Sequence, residues 1–138
     1  MPTVSADSTA SPEQLWAVVA DLENWARDLP TVSAIRHVDG PTHAVGARYD
    51  VRQPGLRPAV YAVTEWEQGR HFTWVARMPG TTARARHTVS PTPTGSHLAL
   101  DFDWSGPLAG VVRVFAGRVA RRMMTTEAQT FTRLARER

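Results

Sequence analysis

The sequence predicts an α+β fold, with one curved antiparallel sheet of about seven strands lying under a single long C-terminal helix. Two observations predict it. Pro107 to Arg138 reads as one amphipathic helix, and Thr31 to Trp104 ahead of it reads as short strands broken by turn residues. One helix laid across one concave sheet cannot fill the space beneath it as completely as a second sheet would, so a cavity is expected between them.

The 138 residues make one domain, residues 1–138. A chain of that size buries roughly two-thirds of the surface its unfolded form exposes. Composition is that of a globular protein, with 42% hydrophobic and 21% charged residues. Apolar runs such as Trp16 to Ala20 and Leu108 to Val112 fall far short of the roughly 20 residues a membrane helix needs, so no integral membrane segment is expected. Met1 to Ser11 has neither a basic opening nor an apolar segment, which makes cytoplasmic residence the expectation. With no cysteine there is no disulfide or thiolate chemistry to place. All sixteen basic residues are arginine, a bias a GC-rich genome produces, and they are scattered among thirteen carboxylates rather than gathered on one face. Nucleic-acid binding is therefore not expected.

Thr3 to Thr9 alternates weakly and fits a first strand. Ser11-Pro12-Glu13-Gln14 is a helix start: serine caps, proline suits the first helical position, and Gln14 is placed to close a capping box. The helix runs through Leu15, Trp16, Val18, Val19 and Leu22, and a second short turn through Trp25 ends before Pro30. Beyond Thr31, Asp39-Gly40-Pro41, Pro54-Gly55, Gln68-Gly69, Pro79-Gly80 and Pro91 to Gly95 punctuate six strands.

The last two hairpins fix a register. A tight turn at Pro79-Gly80 pairs Trp74 with Ala85 and Phe72 with His87, and a loop centred on Pro93 and Thr94 pairs Arg86 with Asp101 and Arg84 with Asp103. Phe72, Trp74, Ala85, Leu100, Phe102 and Trp104 then share a dry face. Thr73, Arg77, Arg84, Arg86, Asp101 and Asp103 share a wet one, whose charges read as exposed cross-strand ion pairs. At Gln68-Gly69 two readings stand. A tight turn brings Tyr61, Val63 and Glu65 inward, whereas a one-residue bulge brings in Trp66. On the final helix the inward stripe reads Leu108, Val112, Phe115, Val119, Met123 and Thr126, continuing toward Thr130 and Leu134. Gly110 and Gly117 cost about 1 kcal/mol each against alanine, for which either a close neighbour or a helix stabilised well enough to tolerate them is an explanation.

Ser11-Pro12-Glu13-Gln14-Leu15-Trp16, Val19 to Trp25 followed by Leu29-Pro30-Thr31-Val32, Val45-Gly46-Ala47-Arg48-Tyr49, and Val63 to Arg70 together resemble the SRPBCC (START-like) superfamily. The nearest subgroup is that of polyketide cyclase/dehydrase and lipid-transport-like proteins. The resemblance covers nearly the whole chain. It implies a helix-grip fold like that of START domains and birch-pollen allergens, with a deep apolar pocket between sheet and C-terminal helix, and it speaks to fold far more than to activity.

The expected ligand contacts are Tyr49, Tyr61, Trp74, His87, Phe102, Trp104, Phe115, Val119 and Met123, in which flat rings and a deformable thioether suit a polyketide, lipid or isoprenoid-like guest. His87 is the one ionisable group the register puts on the dry face, and with Tyr61 and Tyr49 it is the candidate for acid–base chemistry. Arg48 or Arg52 at the mouth would stabilise developing negative charge. His37, His43, His71, His87 and His97 have no metal-ligand spacing, the glycines form no phosphate loop, and Gly-x-Ser-x-Gly is absent, so neither metal nor cofactor is expected. Two functions follow as expectations: a carrier or sensor of a hydrophobic small molecule, monomeric or homodimeric, or a cyclase or dehydratase acting on an aromatic polyketide. No exposed apolar patch is expected.

Overall fold

The computed structural model describes residues 3–138, so that Met1 and Pro2 of the expected domain lie outside the described residues. Seven strands form one antiparallel sheet in the order β1-β7-β6-β5-β4-β3-β2. In chain order they are β1 (Thr3–Ser8), β2 (Ala34–Asp39), β3 (Arg48–Arg52), β4 (Ala59–Glu67), β5 (His71–Met78), β6 (Thr81–Thr92) and β7 (Gly95–Ser105). Between β1 and β2 stand α1 (Pro12–Val19), a 3-10 turn over Leu22–Asn24, and α2 (Trp25–Asp28), and the chain closes with α3 (Ala109–Glu137).

The local signals act where expected. Ser11 accepts a hydrogen bond from the Gln14 amide N–H at 3.1 Å, and the Gln14 side chain accepts one from the Ser11 amide N–H at 2.9 Å, closing the capping box of α1. At Pro79-Gly80 the chain reverses in two residues, with Gly80 at a φ of 75° that a side chain rarely adopts. That turn also meets the last helix, because the Gly80 carbonyl accepts from the Leu108 amide at 2.8 Å. Both hairpins carry the expected register: Phe72 faces His87, Trp74 faces Ala85, Arg84 faces Asp103 and Arg86 faces Asp101.

The readings left open at β4 resolve into parts of both. A bulge at Thr64 separates Val63, paired with Trp74, from Trp66, paired with Phe72. Tyr61 and Val63 therefore point inward before the bulge and Trp66 after it, its ring stacked 5.3 Å from Phe72, while Glu65 turns outward toward Arg84. The outer-face charges pair differently from the expectation. Arg84 reaches Glu65 on β4 at 3.6 Å, Asp103 lies 3.9 Å from Arg113 of α3, and Asp101 accepts from the Thr3 hydroxyl at 2.7 Å. Residues opposite in register need not bond, because a long arginine side chain standing off the sheet face can extend across the neighbouring strand to a carboxylate beyond it.

The inward stripe of α3 is also corrected. Ala109, Ala120, Met123, Met124, Glu127, Ala128, Thr130, Phe131, Thr132 and Ala135 are buried, whereas Leu108, Phe115 and Val111 are 49%, 82% and 54% exposed. The stripe runs one residue later than expected, since small alanines let the helix approach the sheet. The larger residues, used as the guide to the sequence pattern, lie where the helix stands clear of it. Phe131, fully buried, fixes the C-terminal half against Trp25 at 5.5 Å between ring centroids. The Ser8 hydroxyl ties β1 to the same half by donating to the Thr132 carbonyl at 2.9 Å. Gly110 and Gly117 have nothing within 4 Å of where a Cβ would stand, which removes close approach as their reason.

This phase is testable by truncation. Phe131→Ala is expected to cost about 3–5 kcal/mol of unfolding free energy and Phe115→Ala less than about 0.5 kcal/mol, measured by urea denaturation. Equal losses would return the helix to the phase read from its large residues.

Candidate functional site

The N-terminal half of α3, tied to the β5–β6 turn at Leu108 and to β7 at Arg113, roofs a cavity of about 410 Å3. Its floor is built from alternate residues of the sheet, where the two-residue period of a strand puts Ala59 and Tyr61 of β4, Ala83 of β6, and Phe102 and Trp104 of β7 on one face. Its roof is Leu108, Val111, Val112, Phe115 and Ala116, and one wall is the β3–β4 loop through Gly55, Leu56 and Arg57. At the inner end a smaller pocket of about 50 Å3 shares Val51, Gln53, Leu56, Tyr61 and Phe102 with the first and continues to Trp25, Trp74, His87, Met123, Met124 and Glu127. The site is thus an apolar vestibule with a narrow polar end.

Glu127 dominates that end. Its carboxyl is buried, and both of its hydrogen bonds, from the Thr31 hydroxyl at 2.8 Å and the Gln53 side-chain amide at 3.2 Å, fall on Oε2. Burial pushes its pKa up to about 7 against the lowering effect of those two donors. Across the pocket, burial and the Glu127 charge push the Tyr61 phenol up to about 12, so it keeps its proton and remains a donor. The Tyr61 ring is held by stacking on Trp74 at 4.8 Å. His87 stacks on Phe72 at 4.4 Å with planes 9° apart, and its Nδ1 has no hydrogen-bond partner. Burial pushes its pKa down to about 3, which keeps the imidazole neutral. A carboxyl that exchanges its proton near neutrality, a permanent phenol donor and a neutral imidazole therefore line one small space.

Of the expected contacts, Tyr61, Trp74, His87, Phe102, Trp104, Phe115 and Met123 line the two adjoining pockets, Phe115 at the rim. Val119 does not, lining instead a shallow groove on the other flank of α3 with Pro30 and Pro54. Tyr49 lies outside both pockets. Its hydroxyl donates to Glu23 at 3.3 Å and its ring meets His37 edge-on at 5.3 Å, while burial and the Glu23 charge push its pKa up to about 12. Arg48 and Arg52 are exposed and line neither pocket. Glu127, Gln53 and Thr31 were not expected. The signal for Glu127 was its spacing, four residues after Met123 and four before Phe131 on the stripe that the alanines define. No cluster of three or more metal-ligating side chains occurs among the described residues.

Residues 2–136 match the family described as polyketide cyclase / dehydrase and lipid transport. No curated protein matches the chain. Among solved structures it is similar to protein MLL2253 from Mesorhizobium loti, at 17% identity and a TM-score of 0.69 over 96% of both chains. It is similar to the di-domain ARO/CYC StfQ from the steffimycin biosynthetic pathway, at 10% identity and a TM-score of 0.77 over 99% of this chain and 50% of that one. Ara h 8.0201 is a further likeness, at 10% identity and a TM-score of 0.70 over 99% of this chain and 97% of the other. At such identities the likeness is one of fold, and the helix-grip expectation holds.

The buried carboxyl makes a prediction about stability. Between the ordinary value of 4.5 and about 7 the folded chain holds a proton on Glu127 that the unfolded chain has released. Its contribution is therefore fully present below pH 4.5 and is lost as pH rises through about 7, in total about 3 kcal/mol. His87 acts in the opposite sense, its contribution present above pH 6.5 and lost as pH falls toward about 3. Glu127→Gln removes only the first slope. The stability of the variant relative to the parent is expected to rise between pH 5 and pH 8 in urea titrations; a constant difference over that range would show that the carboxyl does not titrate there.

Proposed function

This chain belongs to the polyketide cyclase / dehydrase and lipid transport family, and from that premise we propose that it binds a hydrophobic small molecule between the sheet and α3. The guest class is polyketide, lipid or isoprenoid-like. One observation carries the reading: a vestibule of about 410 Å3 with aliphatic and aromatic walls, in the range of small-molecule sites, leading to a few polar groups at one end. The guest enters with its polar group first. Tyr61 and Glu127 then hydrogen-bond that group, while Phe102, Trp104 and Phe115 take up the apolar body.

Filling the vestibule tests this. Ala83 is buried on the cavity floor, and Ala83→Phe is expected to weaken binding of a hydrophobic fluorescent probe such as anilinonaphthalene sulfonate at least tenfold with the far-UV circular dichroism unchanged. Unaltered probe affinity in the folded variant would place binding elsewhere. Native mass spectrometry of protein purified from its host would weigh the guest itself, and a dimer mass would establish assembly.

The convergence of Glu127, Tyr61 and His87 favours a second reading, that of a cyclase or dehydratase working by proton transfer on a bound ketide. In it the Glu127 carboxylate removes a proton from the carbon between two carbonyls, and the Tyr61 phenol donates a hydrogen bond to the resulting enolate oxygen. Glu127→Gln, Tyr61→Phe and His87→Phe separate the readings. A carrier keeps its affinity within a few-fold in each, whereas a catalyst loses about a hundredfold or more of its turnover in the first two.

A further inference from the structure

The outer side of the vestibule roof is itself unusual. Val114 and Phe115 are 79% and 82% exposed and Val111 54%, a contiguous apolar patch that the sequence reading did not anticipate. At 100° per residue, Val111, Val114, Arg118 and Arg122 project from the side of α3 opposite Ala120, Glu127 and Phe131, and exposed Arg121 flanks them. From Trp104 to Thr126 the chain holds four arginines and no carboxylate. Arg113 is drawn to the flank, where it donates to the Trp104 carbonyl at 2.7 Å and lies 3.9 Å from Asp103. Arg118, Arg121 and Arg122, and Arg57 on the neighbouring loop, make no ion pair among the described residues.

We propose that the outer face of α3, from Val111 to Arg122, docks on the surface of an anionic lipid bilayer. The charge pattern selects this occupant. Exposed aliphatic and aromatic side chains beside arginines, with no acidic side chain among them, form the amphipathic helix surface that lies in the headgroup layer, apolar residues inserted and guanidinium groups on phosphates. A second copy of this chain would bring the same arginines against each other across a two-fold axis, with no carboxylate on the face to compensate them. No helix among the described residues is long and apolar enough to cross a membrane, so the contact is one of surface association. Its position adds a consequence: Leu108, Val111 and Phe115 border both this face and the vestibule, so docking brings the cavity rim to the lipid. Docking concerns the outside of the helix and holds whether or not the cavity has a guest.

Flotation of the full chain with vesicles of phosphatidylcholine alone, or with 30 mol% phosphatidylglycerol, tests this. The expected result is at least tenfold stronger partition to the anionic vesicles, falling steeply between 50 and 300 mM salt as basic contacts are screened. Val114→Asp and Arg118→Glu/Arg121→Glu change residues outside the cavity lining. Each is expected to lower that partition at least tenfold, while affinity for the hydrophobic probe stays within twofold. Equal partition to neutral and anionic vesicles, or retention of partition in both variants, overturns the proposal. So does a dimer in sedimentation velocity that is abolished by Val114→Asp, since a second copy then covers the face. Loss of probe binding in Ala83→Phe with vesicle partition intact would separate this surface from the cavity.

Discussion

Phe131 against Trp25 is the contact on which the cavity depends. Around that pair Trp25 also meets Trp74 at 5.2 Å, His87 at 5.4 Å and Phe72 at 6.2 Å, so α2, β5, β6 and α3 share one aromatic cluster. The cluster pins the C-terminal half of a 29-residue helix, which at 1.5 Å per residue is roughly 44 Å long. The start of the helix is tied separately, through the Leu108 amide on the Gly80 carbonyl and Arg113 on the Trp104 carbonyl, so α3 bridges the concave sheet between two anchored ends. The first half of α3 then has no opposing element close enough to bury its larger side chains, and the space below it is the vestibule.

The same geometry explains the placement of polarity. A buried carboxyl, phenol and imidazole weaken a core that apolar residues of similar size would strengthen, because each gives up hydration that only good hydrogen bonds restore. Glu127 recovers part of that loss on one oxygen, through Thr31 and Gln53, and the His87 Nδ1 recovers none. These groups gather where the anchored half of the helix ends and the open half begins. Packing there is tight enough to hold their orientation, and a space of about 50 Å3 lies beside them. Unmet hydrogen-bonding capacity at the end of an apolar cavity is what a guest with one polar group supplies.

The sheet was legible because its turns are written in residues with few conformational options. Pro79-Gly80 and the loop at Pro93-Thr94 set the register of three strands, and a two-residue period leaves no freedom in which side chains face inward. The helix was less legible because its period constrains relative positions and not the phase, and large residues were given more weight than alanines. That choice turned the stripe by one residue, about 100°, which concealed Glu127 and placed Phe115 and Val119 inward. It concealed the exposed patch for the same reason. Tyr49 is inward, as its alternation requires, yet it sits on β3, one strand in from the β2 edge, where its hydroxyl donates to Glu23. Pattern gives the face of a residue, and only the curvature of the sheet says which part of the interior that face meets.

Helix length also bounds the guest that the proposed function requires. From Phe115 at the rim to Glu127 at the inner end is twelve residues, roughly 18 Å of helix. A molecule that touches both must be elongated, apolar over most of its length and polar at its leading end, and a compact monocyclic compound would leave one of the two unfilled. Such an amphiphile partitions into bilayers by the same apolar body that suits the vestibule. A protein that takes it from water alone works against its low free concentration, whereas one whose cavity rim reaches the headgroup layer meets it where it is concentrated. On the two proposals together, the apolar roof of α3 and the arginines outside it answer one requirement from two sides: the inner surface would accommodate the guest, and the outer surface would bring the opening to its source.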